Sequence, residues 1–279
     1  MTAKNLREVL NKANKNKYAV AGLVVLGWED ALAYTQAADE TGIPIILQAG
    51  PSCRKYTPVP ILGKMFRYLA DQTKTHIVCH IDHGYSLKEC LEGIDNGFTS
   101  VMFDGSRLPI NQNIKLTSSV VKVAHRAKVS VEGEVGFVGY NKGKISKGTK
   151  IREVELFAKE SGADAIAVSV GNKHLQTKKI ATIDFKKIIA IEKVTNAPLV
   201  LHGGSGISNV IRKKLARNHS VAKLNIGTEL RMLFGLAVRK NALKNKKKYD
   251  RLELLQPTIK EMKKLTKKII SNIGPSIDN

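Results

Sequence analysis

Short apolar segments alternate with longer amphipathic segments along the whole chain. Each apolar segment spans five to eight residues. Such short, mostly apolar segments are typical of strands that are buried on both faces of a parallel sheet. Eight strands are predicted in this way, at residues 18–25, 43–48, 75–81, 98–104, 129–135, 164–170, 198–202 and 221–226.

The segments between these strands predict amphipathic helices, because their apolar residues recur at helical spacing. The clearest examples span residues 28–41, 86–96, 151–161 and 184–194. Gly42, Gly97 and Gly162 lie where three helices should end, since glycine readily adopts the left-handed conformation of a C-terminal cap. Ser86 and Asp184 lie where two helices should begin, as side-chain N-caps do.

Eight strand–helix units in a chain of 279 residues predict an α/β fold, a (β/α)8 TIM barrel. The polar N-terminus predicts one further helix, and an extra C-terminal helix is expected near residues 256–272. An open, doubly wound sheet is the alternative architecture. Since no linker or low-complexity segment divides the sequence, we expect a single TIM-barrel domain over residues 1–279.

Histidine, aspartate and glutamate residues follow several of the predicted strands. In a TIM barrel the carboxyl ends of all strands meet at one rim, where active sites are built. These side chains bind zinc and related ions, so their convergence predicts a metal site. They are His83, Asp104, Glu134, His174 and His202, at or just after strands three to seven. The remaining histidines are expected to be structural: His76, His80, His125 and His219.

A glycine-rich turn, 203-GGSG-206, follows the seventh predicted strand, and 225-NIGT-228 ends the eighth. TIM barrels often bind phosphate at this part of the rim. We expect the backbone N–H groups of residues 203–205 and the hydroxyls of Ser205 and Thr228 to cradle a phosphate.

Composition limits the classes of protein that fit. The net charge of +22 leaves open a partner such as nucleic acid, but aromatic residues make up 5% of the chain and no zinc-finger or RNP motif occurs. We therefore expect lysine-rich exposed helix faces and no specific nucleic-acid partner. No apolar run is long enough for a membrane span, and no signal-peptide pattern occurs. Three cysteines without a CxxC pair predict a reducing, cytoplasmic location.

Five sequence blocks together resemble the class II, metal-dependent fructose-bisphosphate and tagatose-bisphosphate aldolases over most of the chain. The blocks are 82-DHG-84, 97-GFTSVMFDGS-106, 130-SVEGEVG-136, 199-LVLHGGSGI-207 and 223-KLNIGTEL-230. The resemblance implies reversible cleavage of fructose 1,6-bisphosphate or tagatose 1,6-bisphosphate to dihydroxyacetone phosphate and glyceraldehyde 3-phosphate. It also implies a cytoplasmic homodimer or homotetramer that acts in glycolysis or related carbohydrate metabolism, with a phosphorylated sugar as its partner and no membrane association.

The same resemblance implies roles for individual residues. His83, His174 and His202 are implied to hold a catalytic Zn²⁺, with Asp104 and Glu134 at a possible second divalent-metal position. Asp82 is implied to donate and accept the proton at the aldehyde oxygen, and Gly84 is expected to permit the twist that brings it beside His83. The implied substrate contacts are Leu175, Gly203, Gly204, Ser205, Asn225, Ile226, Gly227 and Thr228.

The chain departs from the family pattern at several places. The loop at residues 137–150 contains no carboxylate, and Asn141 and Lys142 stand where the family often carries its second acid–base group. Leu175 replaces a glycine and is expected to crowd the phosphate or to redirect the backbone. An apolar segment, residues 23–30, replaces an asparagine-rich turn, and Gly227 favours the tagatose-type branch. These departures leave room for an altered phosphorylated substrate, or for a non-enzymatic basic protein that binds phosphate groups or nucleic acid.

Overall fold

The computed structural model describes residues 2–140, 143, 145–244 and 246–276. Eight parallel strands form a closed barrel in chain order, and the last strand pairs with the first. The strands are β1 (Val20–Val24), β2 (Ile45–Ala49), β3 (Ile77–Gly84), β4 (Ser100–Phe103), β5 (Ser130–Val135), β6 (Ala165–Val168), β7 (Leu199–Leu201) and β8 (Val221–Ile226). The predicted (β/α)8 TIM barrel is confirmed, and the open-sheet architecture is wrong.

Helices connect the strands and surround the barrel. They are α1 (Leu6–Lys15), α2 (Trp28–Thr41), α3 (Pro51–Tyr56), α4 (Val59–Asp71), α5 (Leu87–Asp95), α6 (Ile110–Arg126), α7 (Ile151–Glu160), α8 (Phe185–Glu192), α9 (Asn209–Asn218), α10 (Thr228–Lys244) and α11 (Arg251–Ile273). None of the helices in the described ranges is both long enough and apolar enough to cross a bilayer.

The predicted helix caps lie at the helix ends. Gly42, Gly97 and Gly162 have φ values of 66°, 85° and 73°, which glycine adopts without a steric penalty. The side chains of Ser86 and Asp184 accept hydrogen bonds from backbone N–H groups in the first turns of α5 and α8. Local sequence signals therefore set these boundaries.

The C-terminal helix begins earlier than predicted. It starts at Arg251 rather than near residue 256, because the side chain of Asp250 accepts hydrogen bonds from the N–H groups of Leu252 and Glu253. Pro257 lies inside this helix. At this position, beyond the first turn, the proline removes one backbone hydrogen bond of the helix. The resulting helix, α11, packs against α2 and α10.

The N-terminal helix α1 closes the amino end of the barrel. Its buried residues Leu6, Val9, Leu10 and Ala13 belong to an apolar cluster with side chains from the barrel interior. The interior members of this cluster are Val20, Ile46, Val78, Ala165, Ala167, Val200 and Ala222. The rim at the carboxyl ends of the strands therefore provides the opening of the barrel.

Close packing also fixes the outer layer of the barrel. Phe157 on α7 is fully buried, and a Cβ atom added at Gly133 on β5 would lie 2.4 Å from its ring. The glycine in β5 is therefore needed for the helix to approach the sheet, and the phenylalanine ring fills the space that the glycine leaves.

We predict that Phe157→Ala lowers the free energy of unfolding by about 3–5 kcal/mol, because it removes a large buried ring and leaves a cavity. Urea unfolding monitored by circular dichroism measures the change. Lys159→Ala on the exposed face of the same helix is the control, and it should change the free energy by less than about 0.5 kcal/mol. Equal effects of the two substitutions would contradict the packing argument.

Candidate metal and substrate site

The structure brings the predicted metal-binding side chains together at the rim. Two groups could hold a metal ion, and within each group the candidate ligand atoms lie within 4.8 Å of one another. One group is His83, His174 and His202, and the other is His83, Asp104 and Glu134. His83 is shared, so the two groups form one contiguous cluster.

An unusual backbone conformation allows Asp82 and His83 to share this site. His83 has a φ of 54°, in the left-handed region that non-glycine residues rarely adopt, and the pairing of β3 with β4 shifts register between Ile81 and Gly84. The turn occurs at His83 itself and not at Gly84, which corrects the expectation from the sequence. Gly84 instead permits close approach, because an added Cβ would lie 2.9 Å from the Met102 carbonyl oxygen.

Arg54 on α3 holds this backbone in place. Its guanidinium donates hydrogen bonds to the carbonyl oxygens of Asp82 at 2.6 Å and His83 at 3.0 Å. It also bonds the Ala49 carbonyl and forms an ion pair with Glu89. An unfavourable backbone conformation persists only where several surrounding contacts hold it. The planar guanidinium of an arginine can supply several such hydrogen bonds at once.

The three histidine rings are close and nearly edge-to-face. The ring centroids of His83 and His202 are 4.7 Å apart, and His174 lies 5.4 Å from His83 and 5.5 Å from His202. The Nδ1 atom of His83 is 2.8 Å from Asp104 Oδ2. Since a carboxylate only accepts, Nδ1 of His83 carries the proton of this hydrogen bond, and Nε2 is the nitrogen left to face a ligand.

Buried polar atoms without partners mark the centre of the cluster. Among the described residues, His202 Nδ1 and Glu134 Oε2 are buried without a hydrogen-bond partner, and they lie 3.6 Å apart. Orphaned polar atoms in a dry site are costly unless a ligand satisfies them. An imidazole nitrogen and a carboxyl oxygen are both metal-ligand atoms, so the residues present fit a divalent metal ion.

The electrostatics of the histidines differ across the site. Burial, with the neighbouring histidine charges, lowers the pKa of His174 to about 3 and that of His202 to about 3. Both rings are therefore neutral at pH 7, as metal ligation requires. Burial also disfavours the charged form of His83, but Asp82, Asp104 and Glu134 together raise its pKa to about 10.

The two carboxyl groups of the cluster are shifted in opposite directions. Burial opposes ionisation of Asp104, but hydrogen bonds from His83 and Ser106 hold its pKa well below the usual range. Burial is the largest influence on Glu134 and raises its pKa well above the usual value. Asp104 is therefore a fixed carboxylate beside His83, whereas burial and the nearby Asp104 charge favour the protonated form of Glu134 by raising its pKa.

Asp82 lines the rim cavity, which has a volume of about 180 Å³. One carboxylate oxygen accepts a 3.3 Å hydrogen bond from the side-chain amide of Asn225. Asp82 and His83 line the cavity together with His174, and His202 is buried beneath it. A carboxyl group is thus placed beside the histidine cluster and within reach of a ligand.

The two predicted phosphate-binding turns are joined by Ser205. Its hydroxyl oxygen accepts hydrogen bonds from the N–H groups of Gly227 at 3.3 Å and Glu229 at 3.2 Å. Gly203 has a φ of 67°, and an added Cβ would lie 2.1 Å from the Lys173 carbonyl oxygen. The turn after β7 and the start of α10 therefore form one unit that opens towards the cavity.

Most of the predicted substrate contacts line the cavity, and two do not. The lining includes Leu175, Gly203, Ser205, Asn225, Gly227 and Thr228. Gly204 and Ile226 lie outside the lining, and the Ile226 side chain belongs to the hydrophobic core. These two residues could contact a substrate only through their backbone atoms.

Leu175 keeps the backbone conformation that favours glycine. Its φ is 59°, and its side chain is 48% exposed at the edge of the cavity. The leucine therefore adds apolar bulk to the cavity wall while its backbone stays in the left-handed region, at a cost in strain. Val24 and Leu26 also line the cavity, as expected from the apolar segment at residues 23–30.

The loop after β5 approaches the site through Tyr140. Its ring stacks on His174 with a centroid distance of 5.0 Å, and the backbone N–H of His174 donates to the Gly139 carbonyl at 2.8 Å. Burial raises the pKa of Tyr140, so its phenol is neutral at pH 7. The positions predicted to replace the second acid–base group, Asn141 and Lys142, lie outside the described residues.

Sequence reasoning missed several residues of the site. Arg231 is the one lysine or arginine among the described residues that line the cavity, although the chain has 46 such residues. Glu132 and Lys223 are fully buried beneath the cluster and form an ion pair at 2.6 Å. The sequence did contain a signal for this pair: a glutamate and a lysine lie inside two strands predicted to be buried, and buried charges must be paired.

Comparisons with known proteins show the family to which the chain is similar. The family model described as fructose-bisphosphate aldolase class-II matches residues 4–276. A fructose-bisphosphate aldolase of Mycoplasma genitalium is 35% identical, with 91% of this chain and 92% of the relative covered. A 6-phospho-5-dehydro-2-deoxy-D-gluconate aldolase of Shouchella clausii is 34% identical, with 95% and 92% covered.

The fold comparison leads to the same group of enzymes. The crystal structure of the YdjI aldolase from Escherichia coli K12 superposes with a TM-score of 0.87 at 27% identity, over 98% of both chains. The family match spans nearly the whole chain, and the named relatives are aldolases. The chain therefore belongs to the class II fructose-bisphosphate aldolase family and is an aldolase, a carbon–carbon lyase.

Proposed function

We propose that the protein is a metal-dependent ketose-bisphosphate aldolase. It would reversibly cleave fructose 1,6-bisphosphate or tagatose 1,6-bisphosphate to dihydroxyacetone phosphate and glyceraldehyde 3-phosphate. The observation that carries the proposal is the position of Asp82, which lines the same small cavity as two histidines of the cluster and the two joined turns. These parts would bind the phosphate, stabilise charge on the ketone half and move the proton at the aldehyde oxygen.

His83, His174 and His202 would hold a catalytic Zn²⁺, since a three-imidazole site suits zinc and leaves positions open for substrate oxygens. His174 and His202 are already neutral, and His83 would release its Nε2 proton when the ion binds. When bound there, the ion supplies stabilisation of the negative charge that develops on the ketone half of the substrate. Asp104 would orient His83 through its 2.8 Å hydrogen bond. With Glu134 it also offers a possible second divalent-metal position.

Asp82 would act as the acid–base group at the aldehyde oxygen. In cleavage it takes the proton from the hydroxyl at C4 while the C3–C4 bond breaks. The electron pair of that bond passes to the ketone half, which then gains a proton from water at C3, and in condensation these transfers run in reverse. The amide of Asn225 holds one carboxylate oxygen, so the other oxygen is oriented towards the substrate. A positioned acid–base group of this kind contributes roughly 10²–10⁴-fold to the rate.

The substrate phosphate would be bound by the unit that Ser205 joins. The N-terminus of α10, a helix of 17 residues, opens into this unit, and helix N-termini favour anions. Arg231, in the first turns of α10, donates to the Thr228 hydroxyl at 3.3 Å and would add a guanidinium to the phosphate contacts. Binding energy from this remote group would hold the reacting carbons against Asp82.

A second substrate is favoured by the relatives. Several proteins 33–34% identical to this chain are named 6-phospho-5-dehydro-2-deoxy-D-gluconate aldolases. That substrate carries a carboxylate and one phosphate, and the cavity offers one arginine among its described lining residues. Leu175 and the apolar wall formed by Val24 and Leu26 would also favour a substrate half with fewer polar groups.

A purely binding role, in which the chain holds phosphate groups or nucleic acid without turnover, is disfavoured by membership of an aldolase family. The single domain over residues 1–279, the homodimer or homotetramer and the cytoplasmic location stay predictions, as does the absence of a specific nucleic-acid partner.

The activity is tested by a coupled cleavage assay. Purified protein is given fructose 1,6-bisphosphate, tagatose 1,6-bisphosphate or 6-phospho-5-dehydro-2-deoxy-D-gluconate, with zinc or with a chelator. We expect triose phosphate release that stops with chelator and returns with zinc, and the three kcat/KM values identify the substrate. A folded, zinc-loaded protein that cleaves none of the three would contradict the proposal.

His202→Ala should abolish stoichiometric zinc binding and activity, because it removes one of three ligands. The matched control is His219→Ala, since His219 is also buried and pairs with a glutamate, Glu192, but lies at the amino end of β8. Metal content after dialysis, measured by atomic absorption, should be unchanged in the control. Full zinc content in His202→Ala would refute the three-histidine site.

Asp82→Asn separates acid–base chemistry from metal binding. The amide keeps the size of the side chain but cannot exchange the proton, so kcat should fall by about 10²–10⁴-fold. Zinc content should stay at the wild-type level, because Asp82 belongs to neither metal-binding group. Steady-state kinetics and metal analysis on the same sample decide between this outcome and a role for Asp82 in metal retention.

A further inference from the structure

Three ionisable side chains lie inside the barrel below the histidine cluster. Glu132 on β5, Lys223 on β8 and His80 on β3 are each 0% exposed. Charged side chains are almost never fully buried unless they are paired, and a buried ion pair is often no more stable than apolar residues of the same volume. Their presence inside the barrel therefore calls for a function other than stability.

Glu132 bridges the buried lysine and one of the cluster histidines. Its Oε2 accepts a hydrogen bond from Lys223 Nζ at 2.6 Å, and its Oε1 lies 3.1 Å from His202 Nε2. Because the carboxylate beside an ammonium group acts as an acceptor, the Nε2 atom of His202 carries the proton and donates it. The hydrogen bond thus selects one tautomer of His202.

The selected tautomer exposes the opposite nitrogen to the metal-binding group. With the proton on Nε2, the lone pair of His202 lies on Nδ1, which is the buried atom without a hydrogen-bond partner among the described residues. This atom is 3.6 Å from Glu134 Oε2 at the centre of the cluster. The hydrogen bond from Nε2 to Glu132 therefore leaves Nδ1 of His202 available as a metal ligand.

Lys223 is held in turn from its other side. Its Nζ lies 3.4 Å from His80 Nε2, and His80 Nδ1 lies 2.8 Å from Ser100 Oγ. Since the ammonium group can only donate, His80 accepts on Nε2 and donates from Nδ1 to the serine hydroxyl. A continuous chain of hydrogen bonds therefore connects Ser100 on β4, through His80, Lys223 and Glu132, to His202.

We propose that Glu132 and Lys223 are positioning residues for His202, which fix its tautomer and ring orientation for metal binding. The proposal deepens the proposed function and rests on the three-histidine metal site. Glu132 acts through the His202 hydrogen bond, and Lys223 acts through Glu132. Loss of such an outer partner of a metal-ligating histidine typically weakens metal affinity by about 10–100-fold.

The test measures zinc affinity and not turnover. Glu132→Gln keeps the side-chain shape but removes the charge, and it should weaken zinc binding by about 10–100-fold in competition with a fluorescent chelator. The absorption bands of the Co²⁺-loaded protein should also shift, because the ligand field of His202 changes. A variant with wild-type zinc affinity and wild-type bands would refute the positioning role.

Two further variants separate positioning from folding. Glu192→Gln alters a matched glutamate–histidine contact, to His219 at 3.2 Å, far from the cluster, and should leave zinc affinity and the Co²⁺ spectrum unchanged. The double substitution Glu132→Gln with Lys223→Met removes the unpaired buried ammonium and should recover stability. Its zinc affinity should stay weakened. Recovery of wild-type affinity in the double variant would show that the unpaired charge alone caused the loss.

The wild-type titration distinguishes this proposal from the proposed function. A wild-type protein that binds no zinc would refute the three-histidine site and, with it, the inference. Tight wild-type binding together with equal affinity in Glu132→Gln would refute the inference alone. Weakened binding in both Glu132 variants, but not in Glu192→Gln, would support it.

Discussion

The hydrogen bonds from Arg54 to the carbonyl oxygens of Asp82 and His83 are the interaction on which the site depends. Neighbouring residues in a regular strand point to opposite faces. At His83 the backbone leaves the regular conformation, and both side chains line one cavity. A short helix after β2 thus supplies the guanidinium that keeps an acid–base group and a candidate ligand adjacent in both sequence and space.

Much of the fold could be predicted from the sequence because the signals were local. Alternating apolar and amphipathic segments predicted the strands, and Gly42, Ser86 and Asp184 marked helix ends that the structure contains. The early start of α11 was missed because Pro257 obscured the cap at Asp250. A proline and a capping aspartate indicate different starts for this helix, and the packing of α11 against α2 and α10 helps to decide between them.

The site was predictable where residue type alone carried the signal. The histidines and carboxylates after strands three to seven converge as expected. Arg54, Arg231 and the pair Glu132–Lys223 were missed, because their roles depend on tertiary contacts between residues 28 to 91 positions apart in the chain or on the shape of the cavity. Arginine and lysine are also the commonest charged residues here, so none stood out by composition.

The closure of the barrel by α1 limits how ligands enter and leave the site. The apolar side chains of Leu6, Leu10 and their neighbours fill the amino end, so in the described part of the chain the rim is the route to the histidine cluster. The cavity there holds only about 180 Å³. A ligand that binds against the histidine cluster must therefore both enter and leave through the rim.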